Sequence, residues 1–219
     1  MLNQAFAGCL ADYYGAELVD ALIVPRQLQL VPEIELWLLQ DDYPKQCLSR
    51  STYENLMAAP PYWAFCWGGG QAMARYLLDH PAWVKGRCVV DFGAGSGVAG
   101  IAAAMVGASR VQAVDIDPLS CRAAAANGEL NGVNLSVGQS FVAGDCEIML
   151  AADVCYEEEG MVCVKKHLAN QGRIIVADSR IEQLAEKLPG VKQVAEYEVK
   201  TFPDLEENDC FAKVRLYTN

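Results

Sequence analysis

The sequence predicts an α/β fold built on a seven-stranded, mostly parallel sheet with helices on both faces. Two observations support this prediction. From residue 87 onwards, short β-rich runs alternate with stretches of helical spacing, which is typical of a parallel sheet with helical crossovers. The last two β-rich runs are joined only by residues 203–209, too few for a crossover, so the last strand is expected to be antiparallel.

The predicted elements follow one another in a regular order. Strands are predicted at residues 87–92, 110–115, 135–144, 147–154, 172–178, 191–202 and 210–218. Helices are predicted between them at residues 97–108, 118–132, 157–170 and 179–190. Pro118 begins the second of these helices and Gly132 ends it, as is common at helix termini. Six parallel strands with one reversed strand predict a Rossmann-like sheet.

The chain divides into an irregular N-terminal part and a regular α/β part. Residues 1–59 are predicted to form an N-terminal extension, a helical cap on the domain formed by residues 60–219. No repeat and no glycine–serine linker separates the two parts. We therefore expect the extension to pack on the same domain.

Composition restricts the classes of partner. The net charge of −11 disfavours a nucleic-acid or anionic membrane surface, since basic patches bind both. The nine cysteines include no C-x-x-C pair and there are only two histidines, so reduced thiols are expected and a metal site is not. No apolar run approaches the ~18 residues of a membrane span. A cytoplasmic location is expected.

A glycine-rich turn, "VVDFGAGSGVAG" at residues 89–100, follows the first strand of the sheet. Ligands of open parallel sheets bind at this edge, beyond the carboxyl ends of the strands. Three interpretations are open: a dinucleotide site, an S-adenosylmethionine site, or a turn whose glycines only permit tight packing. S-adenosylmethionine carries no phosphate, so the carboxylate of Asp91 favours it over a pyrophosphate. The loop residues predicted to bind this cofactor are Asp91, Gly93, Ala94, Gly95 and Gly97.

Two further positions are candidates for the rest of the cofactor. The second strand ends in "AVDIDP", where Asp115 can accept both ribose hydroxyls, with Ile116 beside it. A dinucleotide has a ribose as well, so Asp115 does not discriminate between the two cofactors. The connection to the fourth strand is very short, and Asp145 is the candidate there for the adenine side.

The stretch at residues 60–118, which contains "WGGGQ" and the glycine turn, resembles the seven-β-strand S-adenosylmethionine-dependent methyltransferases. With "LVPEIELWL" upstream and "AADVCYEEE" downstream, it is most similar to the branch that contains the lysine methyltransferase of the electron-transfer flavoprotein β subunit and its bacterial relatives. The similarity covers residues 30–160 well, and the rest only by its strand pattern.

The resemblance also implies roles at the transfer site. The motif D-x-x-Y, here "DVCY", implies that Asp153 orients the substrate amine near the cofactor and that Tyr156 shapes its channel. The alternative for Asp153 is a helix N-cap, and both roles are compatible. Trp67 is implied to lie close to the sulfonium, and Gln71 to contact the methionine portion of the cofactor.

These residues predict an S-adenosylmethionine-dependent N-methyltransferase. By resemblance its substrate is a lysine of a protein, with the electron-transfer flavoprotein β subunit as the expected partner. Two alternatives stay open: methylation of a small, nicotinamide-like amine, and a cofactor-binding module without turnover. The sequence does not indicate the target lysine, the number of methyl groups or the oligomeric state.

Overall fold

The computed structural model describes residues 4–14, 23–40, 60–142, 144–181, 183–205 and 208–219. Its nine strands are β1 (Ile23–Gln27), β2 (Glu35–Leu39), β3 (Cys88–Phe92), β4 (Arg110–Val114), β5 (Ser136–Gly138), β6 (Ile148–Ala152), β7 (Arg173–Asp178), β8 (Lys192–Glu198) and β9 (Lys213–Thr218). Its α-helices are α1 (Gln4–Tyr14), α2 (Gly68–Asp79), α3 (Val98–Met105), α4 (Pro118–Leu130), α5 (Glu158–Ala169) and α6 (Leu184–Lys187).

Strands β3 to β9 form one seven-stranded sheet in the order β5-β4-β3-β6-β7-β9-β8. The five strands from β5 to β7 pair in parallel, whereas β9 is antiparallel to both β7 and β8. One reversed strand among seven, and that the last, confirms the predicted fold class. The chain order changes direction between β3 and β6, which places a switch point at the carboxyl end of β3.

Both faces of the sheet are covered, as predicted. Along β3 and β6 the side chains alternate between two hydrophobic cores: Val89 and Ile148 belong to one core, and Val90 and Met149 to the other. The first core is completed by α2 and α3, and the second by α5 and α6. Since every strand in the middle of the sheet is buried on both faces, these segments read as nearly continuous apolar runs.

Two predicted elements are much shorter in the structure. The strand predicted at residues 135–144 is reduced to Ser136–Gly138, and the helix predicted at residues 179–190 is reduced to Leu184–Lys187. In the first case, the chain leaves the sheet after Gly138 because it must return to the amino edge before β6 can start parallel to β3. In the second, Asp178 hydrogen-bonds the amides that follow it and delays the start of the helix.

The described part of the N-terminal extension contains helix α1 and an unpredicted antiparallel hairpin. The hairpin pairs β1 with β2, from Ile23 opposite Leu39 to Gln27 opposite Glu35. Asn127 of α4 accepts a hydrogen bond from the Trp37 amide at 2.7 Å, which fixes β2 against that helix. Leu36 and Leu38 of the hairpin belong to the same core as α2 and α3, whereas Ile23 and Leu39 lie in a third core shared with α1 and α4. The described part of the extension therefore packs on the sheet domain, and the core it forms is shared with α4 of that domain.

Across the described ranges, no helix is both long and apolar enough to cross a lipid bilayer.

Candidate functional site

The glycine turn after β3 has the backbone conformation of a ligand cradle. Gly93, Gly95 and Gly97 all have positive φ, at 71°, 51° and 80°, a region that side chains disfavour. The amides of Gly93 and Ala94 donate to the Val114 carbonyl at 2.8 and 3.0 Å, which ties the turn to the end of β4. Helix α3 begins directly after the turn, so its first amides lie at the same edge of the sheet.

The three glycines differ in what surrounds them. A Cβ on Gly93 would collide with the side chain of Val154, and one on Gly97 would lie 2.9 Å from Ala124 of α4. Around the corresponding point on Gly95, no atom of the described chain lies within 4 Å. Gly93 and Gly97 are therefore required for packing, while Gly95 borders open space that a ligand can enter.

Asp91 is at the carboxyl end of β3, but its side chain is enclosed. The residue is only 2% exposed, and the Gly100 amide donates to its Oδ2 at 2.8 Å. Burial raises the pKa of Asp91 to about 7. Asp91 was expected at the mouth of the turn, where a ligand would meet it. The structure instead places it behind the turn, where it anchors the first turn of α3 through Gly100.

Asp115 lies at the end of β4 with both carboxylate oxygens directed at backbone amides. Its Oδ2 accepts from Gly95 at 2.9 Å and its Oδ1 from Asp117 at 3.0 Å. Each carboxylate oxygen can accept a second hydrogen bond, so the residue keeps acceptors for a diol. The neighbouring Ile116 is 85% exposed, an unusual state for an isoleucine and one that a planar apolar ring would relieve.

Asp145 is not brought together with the other candidates. Its carbonyl accepts hydrogen bonds from Cys88 at 3.2 Å and from Arg110 at 2.8 Å, and these residues begin β3 and β4. Asp145 therefore lies at the amino edge of the sheet, a strand length away from the glycine turn. On the adenine side the structure offers the segment after β5, where Gln139 donates to the Ile116 carbonyl at 2.9 Å. Val142, 67% exposed, follows in the same segment. This segment was not among the residues predicted for the site.

Asp153 follows β6 and is positioned by its own backbone and by the start of α2. Its φ of 51° is left-handed, and its amide donates to the Ala177 carbonyl at 2.9 Å. The Gly69 amide donates to its Oδ2 at 2.7 Å. A Cβ on Gly69 would collide with the Asp153 carboxylate, so this position of α2 requires glycine. The carboxylate is held by the N-terminus of α2, not by the helix that follows it. The N-cap of α5 is Glu157, so the alternative role of Asp153 as that cap is wrong.

The second oxygen of Asp153 is available for a ligand. Its Oδ1 is buried and has no hydrogen-bond partner among the described residues. Burial, followed by the neighbouring Asp178 carboxylate, raises the pKa of Asp153 to about 7. A buried acceptor without a partner is costly, and it is explained when a donor arrives from outside the chain.

Trp67 and Gln71 stand at the start of α2 with different surroundings. Trp67 is the N-cap residue, and its indole Nε1 donates to the Tyr62 carbonyl at 3.1 Å. Gln71 is 3% exposed, and its Nε2 donates to the carbonyls of Cys66 and Lys200 at 2.9 and 2.8 Å. The amide group of Gln71 thus holds the chain around α2. Trp67 is partly exposed near Asp153 and stays the better candidate for contact with a cofactor.

Tyr156 is 52% exposed and belongs to a cluster around the guanidinium of Arg180. The guanidinium carbon lies 4.9 Å from the ring centre of Tyr156, 5.8 Å from that of Trp67 and 5.4 Å from that of Phe211. These three rings come from three separate segments. Cationic and aromatic groups in such contact attract each other, so Arg180 holds the three rings together, and its charge also acts on Asp153.

Three functional candidates were missed from the sequence: Asp178, Arg180 and Asn127. Asn127 donates to the Ser96 carbonyl of the glycine turn at 2.8 Å, so one buried side chain joins the turn to the N-terminal hairpin. A signal for Asp178 existed, because an aspartate ends its strand and Asp91 is likewise the last residue but one of β3.

The residues at this edge fit S-adenosylmethionine. The open space at Gly95 admits backbone contact, Asp115 keeps acceptors for ribose hydroxyls, and the exposed Ile116 offers an apolar surface to a base. When bound, the cofactor supplies a methyl group on a sulfonium. The carboxylate of Asp153, with its unpartnered Oδ1, then lies at the adjacent strand end, where a methyl acceptor is needed. Among the described residues, no cluster of three or more histidine, cysteine or acidic side chains is arranged to hold a metal ion.

The fold and this edge resemble those of the S-adenosylmethionine-dependent methyltransferases. The crystal structure of magnesium protoporphyrin IX methyltransferase from Synechocystis with bound cofactor matches 69% of this chain and 79% of its own, with a TM-score of 0.50 and 19% identity. At 19% identity this match supports the fold alone. Residues 72–177 match the family model of the ribosomal protein L11 methyltransferase (PrmA).

Sequence relatives are more specific. The electron-transfer flavoprotein β subunit lysine methyltransferase of Mus musculus is 38% identical over 167 residues, which cover 72% of this chain and 63% of the relative. The ribosomal protein L11 methyltransferase of Aeromonas salmonicida is 45% identical over 86 residues, or 39% of this chain and 26% of the relative. The chain thus spans somewhat less than two thirds of the mouse relative. The resemblance predicted from the sequence is confirmed.

Proposed function

We propose that this chain is an S-adenosylmethionine-dependent N-methyltransferase that modifies lysine in a protein, with the electron-transfer flavoprotein β subunit or a similar protein as its substrate. The observation that carries the proposal is Asp153, a half-buried residue whose carboxylate has one buried, unpartnered oxygen at the strand end beside the glycine turn. The names of the sequence relatives supply the substrate, and the cofactor follows from the fit of Gly95, Asp115 and Ile116.

The chemistry requires a neutral amine. A lysine side chain has a pKa near 10.4, so removing its proton at pH 7 costs about 4.6 kcal/mol. Asp153 attracts the ammonium, and its Oδ1 is free to accept one of the ammonium hydrogens. With a pKa of about 7, Asp153 is a much better proton acceptor than an ordinary aspartate and is still ionised at slightly alkaline pH. With the cofactor bound at the glycine turn, Asp153 would hold the amine at the adjacent strand end, so that transfer would occur within one complex.

An extended substrate fits the surface around Asp153 better than an enclosed small molecule. Tyr62 and Tyr156 are 59% and 52% exposed, and Phe211 is 37% exposed in the same cluster. Exposed aromatic rings around a cation site are typical of surfaces that bind proteins. A small-amine substrate and a binding module without turnover remain as outcomes of the test. The cytoplasmic location stays a prediction.

The first experiment incubates the purified chain with radiolabelled S-adenosylmethionine and either the flavoprotein β subunit or a mixture of small amines. Asp153→Ala is the control, and calorimetry measures cofactor binding by both forms. Label on the protein that is lost in the variant, while the cofactor still binds, supports the proposal. Label on the small amines alone would replace the substrate. Cofactor binding without any transfer would indicate a binding module.

A further inference from the structure

The site contains a second buried carboxylate, at the strand end next to Asp153. Strands β6 and β7 are paired so that Ala152 lies opposite Ala177, which makes Asp153 and Asp178 neighbours across the sheet edge. Asp178 is completely buried, at 0% exposure. Asp178 is the second cause, after burial, of the raised pKa of Asp153, so the two carboxylates interact.

Only one oxygen of Asp178 is used by the protein. Its Oδ1 accepts hydrogen bonds from the amides of Arg180 and Ile181 at 2.7 and 2.8 Å, which shapes the turn after β7. Its Oδ2 is buried, and the described part of the chain provides it with no hydrogen-bond partner. Asp153 has an equivalent unpartnered Oδ1. The turn after β7 uses only the Oδ1 of Asp178. It therefore does not explain why the Oδ2 is buried without a partner.

We propose that Asp178 is a positioning residue for methyl transfer, whose buried negative charge makes the adjacent Asp153 carboxylate a stronger acceptor for a proton of the substrate ammonium. The inference rests on the function proposed above. Two like charges that are buried together cannot both remain ionised easily, so each raises the affinity of the other for a proton. An arriving ammonium relieves this repulsion by supplying both a positive charge and hydrogen-bond donors.

In the proposed step a proton moves from the substrate ammonium to Asp153. One N–H bond of the ammonium breaks and its electron pair stays on nitrogen, while a new O–H bond forms on Asp153. The carboxylate pair changes from two negative charges to one, and the amine becomes neutral and nucleophilic. Asp178 itself exchanges no proton in this step, and its charge raises the energy of the ionised Asp153 relative to the protonated form.

Other charged and titratable groups also act on the pair. Arg180 lowers the pKa of Asp153 and of Asp178, and Lys187 lowers that of Asp178. The remaining titratable neighbours, each of which has its own pKa raised by one or both carboxylates, are Cys66, Cys155, Tyr156 and Tyr217. None of these four is an anion near pH 7. Burial raises the pKa of Asp178 as well, and among the described residues Asp178 is the carboxyl group that raises the pKa of Asp153.

The test is Asp178→Asn, which removes the charge while its amide oxygen can still accept from Arg180 and Ile181. Glu35→Gln, which neutralises an exposed carboxylate on β2, is the control for net charge. The titration of the Asp153 carboxyl carbon is followed by NMR in each protein. In Asp178→Asn we expect the pKa of Asp153 to fall by at least about 1, because removing a like charge makes ionisation of Asp153 easier. The Glu35→Gln protein should titrate like the original.

Kinetics supply the second measurement. If Asp153 accepts the proton, kcat/KM falls at acidic pH as Asp153 becomes protonated. In Asp178→Asn this fall should occur at a lower pH, because the pKa of Asp153 is lower. For a change of one in pKa, activity at pH 6 relative to the alkaline plateau rises about fivefold, while the plateau itself falls because Asp153 has become a weaker base. A purely structural role for Asp178 would lower the rate at every pH without moving the limb.

Every outcome is informative. An unchanged Asp153 pKa in folded Asp178→Asn overturns the inference. If that variant does not fold, the original protein decides: interacting carboxylates show two inflections in each titration curve, and independent carboxylates show one. Absence of methyl transfer by the original protein refutes the proposed function, whereas the NMR titration still tests the carboxylate pair.

Discussion

Substitution of Asp153 by asparagine should make the protein inactive and, at alkaline pH, more stable. Burial and the neighbouring Asp178 raise the Asp153 pKa from 3.8 to about 7. In the unfolded chain the same carboxyl ionises near 3.8. The folded state therefore favours the protonated form, and its contribution to stability is complete below pH 3.8 and lost as the pH rises through about 7.

The size of the effect follows from the two pKa values. Between about pH 4.5 and pH 6.5, the ionisation of Asp153 lowers the free energy of unfolding by about 1.4 kcal/mol per pH unit. Above pH 7 the loss levels off at roughly 4 kcal/mol, an upper limit because partial exposure of the residue weakens it. Asparagine carries no charge to desolvate, and its amide oxygen can still accept from Gly69.

Urea unfolding of both proteins at several pH values measures this difference. The stability of Asp153→Asn relative to the original should increase from pH 4.5 to pH 7 and then stay constant. Methyl transfer should fall at least about 100-fold, the usual contribution of a positioned acid–base group. A stability difference that is independent of pH would refute the argument that Asp153 is ionised at a cost. Undiminished transfer would refute its role as proton acceptor.

Three further substitutions test the surroundings of the site. Gly69→Ala should displace the Asp153 carboxylate and reduce kcat at least about tenfold with little change in cofactor affinity by calorimetry, since the added Cβ collides with that carboxylate. Asp115→Asn should weaken S-adenosylmethionine binding about 10- to 100-fold in the same assay, and unchanged affinity would remove Asp115 from the site. Asn127→Ala leaves the Ser96 carbonyl and the Trp37 amide without their partner, so chemical unfolding should show a loss of about 2–4 kcal/mol. A loss below about 1 kcal/mol would show that the apolar contacts and the hydrogen bonds between Glu35 and Asn131 are enough to fix the hairpin.

The sequence by itself determined the order of the elements and the glycine turn. Alternation of apolar strands with helical stretches leaves a parallel sheet as the way to bury both, and a final pair of strands joined by a short loop must be antiparallel. Gly93 and Gly97 were identifiable because left-handed backbone at a strand-to-helix turn selects glycine. These features depend on neighbours along the chain, which a sequence displays directly.

The tertiary structure decided which of the candidate residues meet. Asp145 was misplaced from the sequence because the length of β5 depends on where the chain must turn back to start β6. Asp178 becomes the neighbour of Asp153 only because β6 pairs with β7 in one particular register. Gly69 reaches the Asp153 carboxylate from 84 residues away because α2 packs across the edge of the sheet. Contacts of this kind depend on strand order and register, which are fixed by burial of the whole core and not by any local pattern.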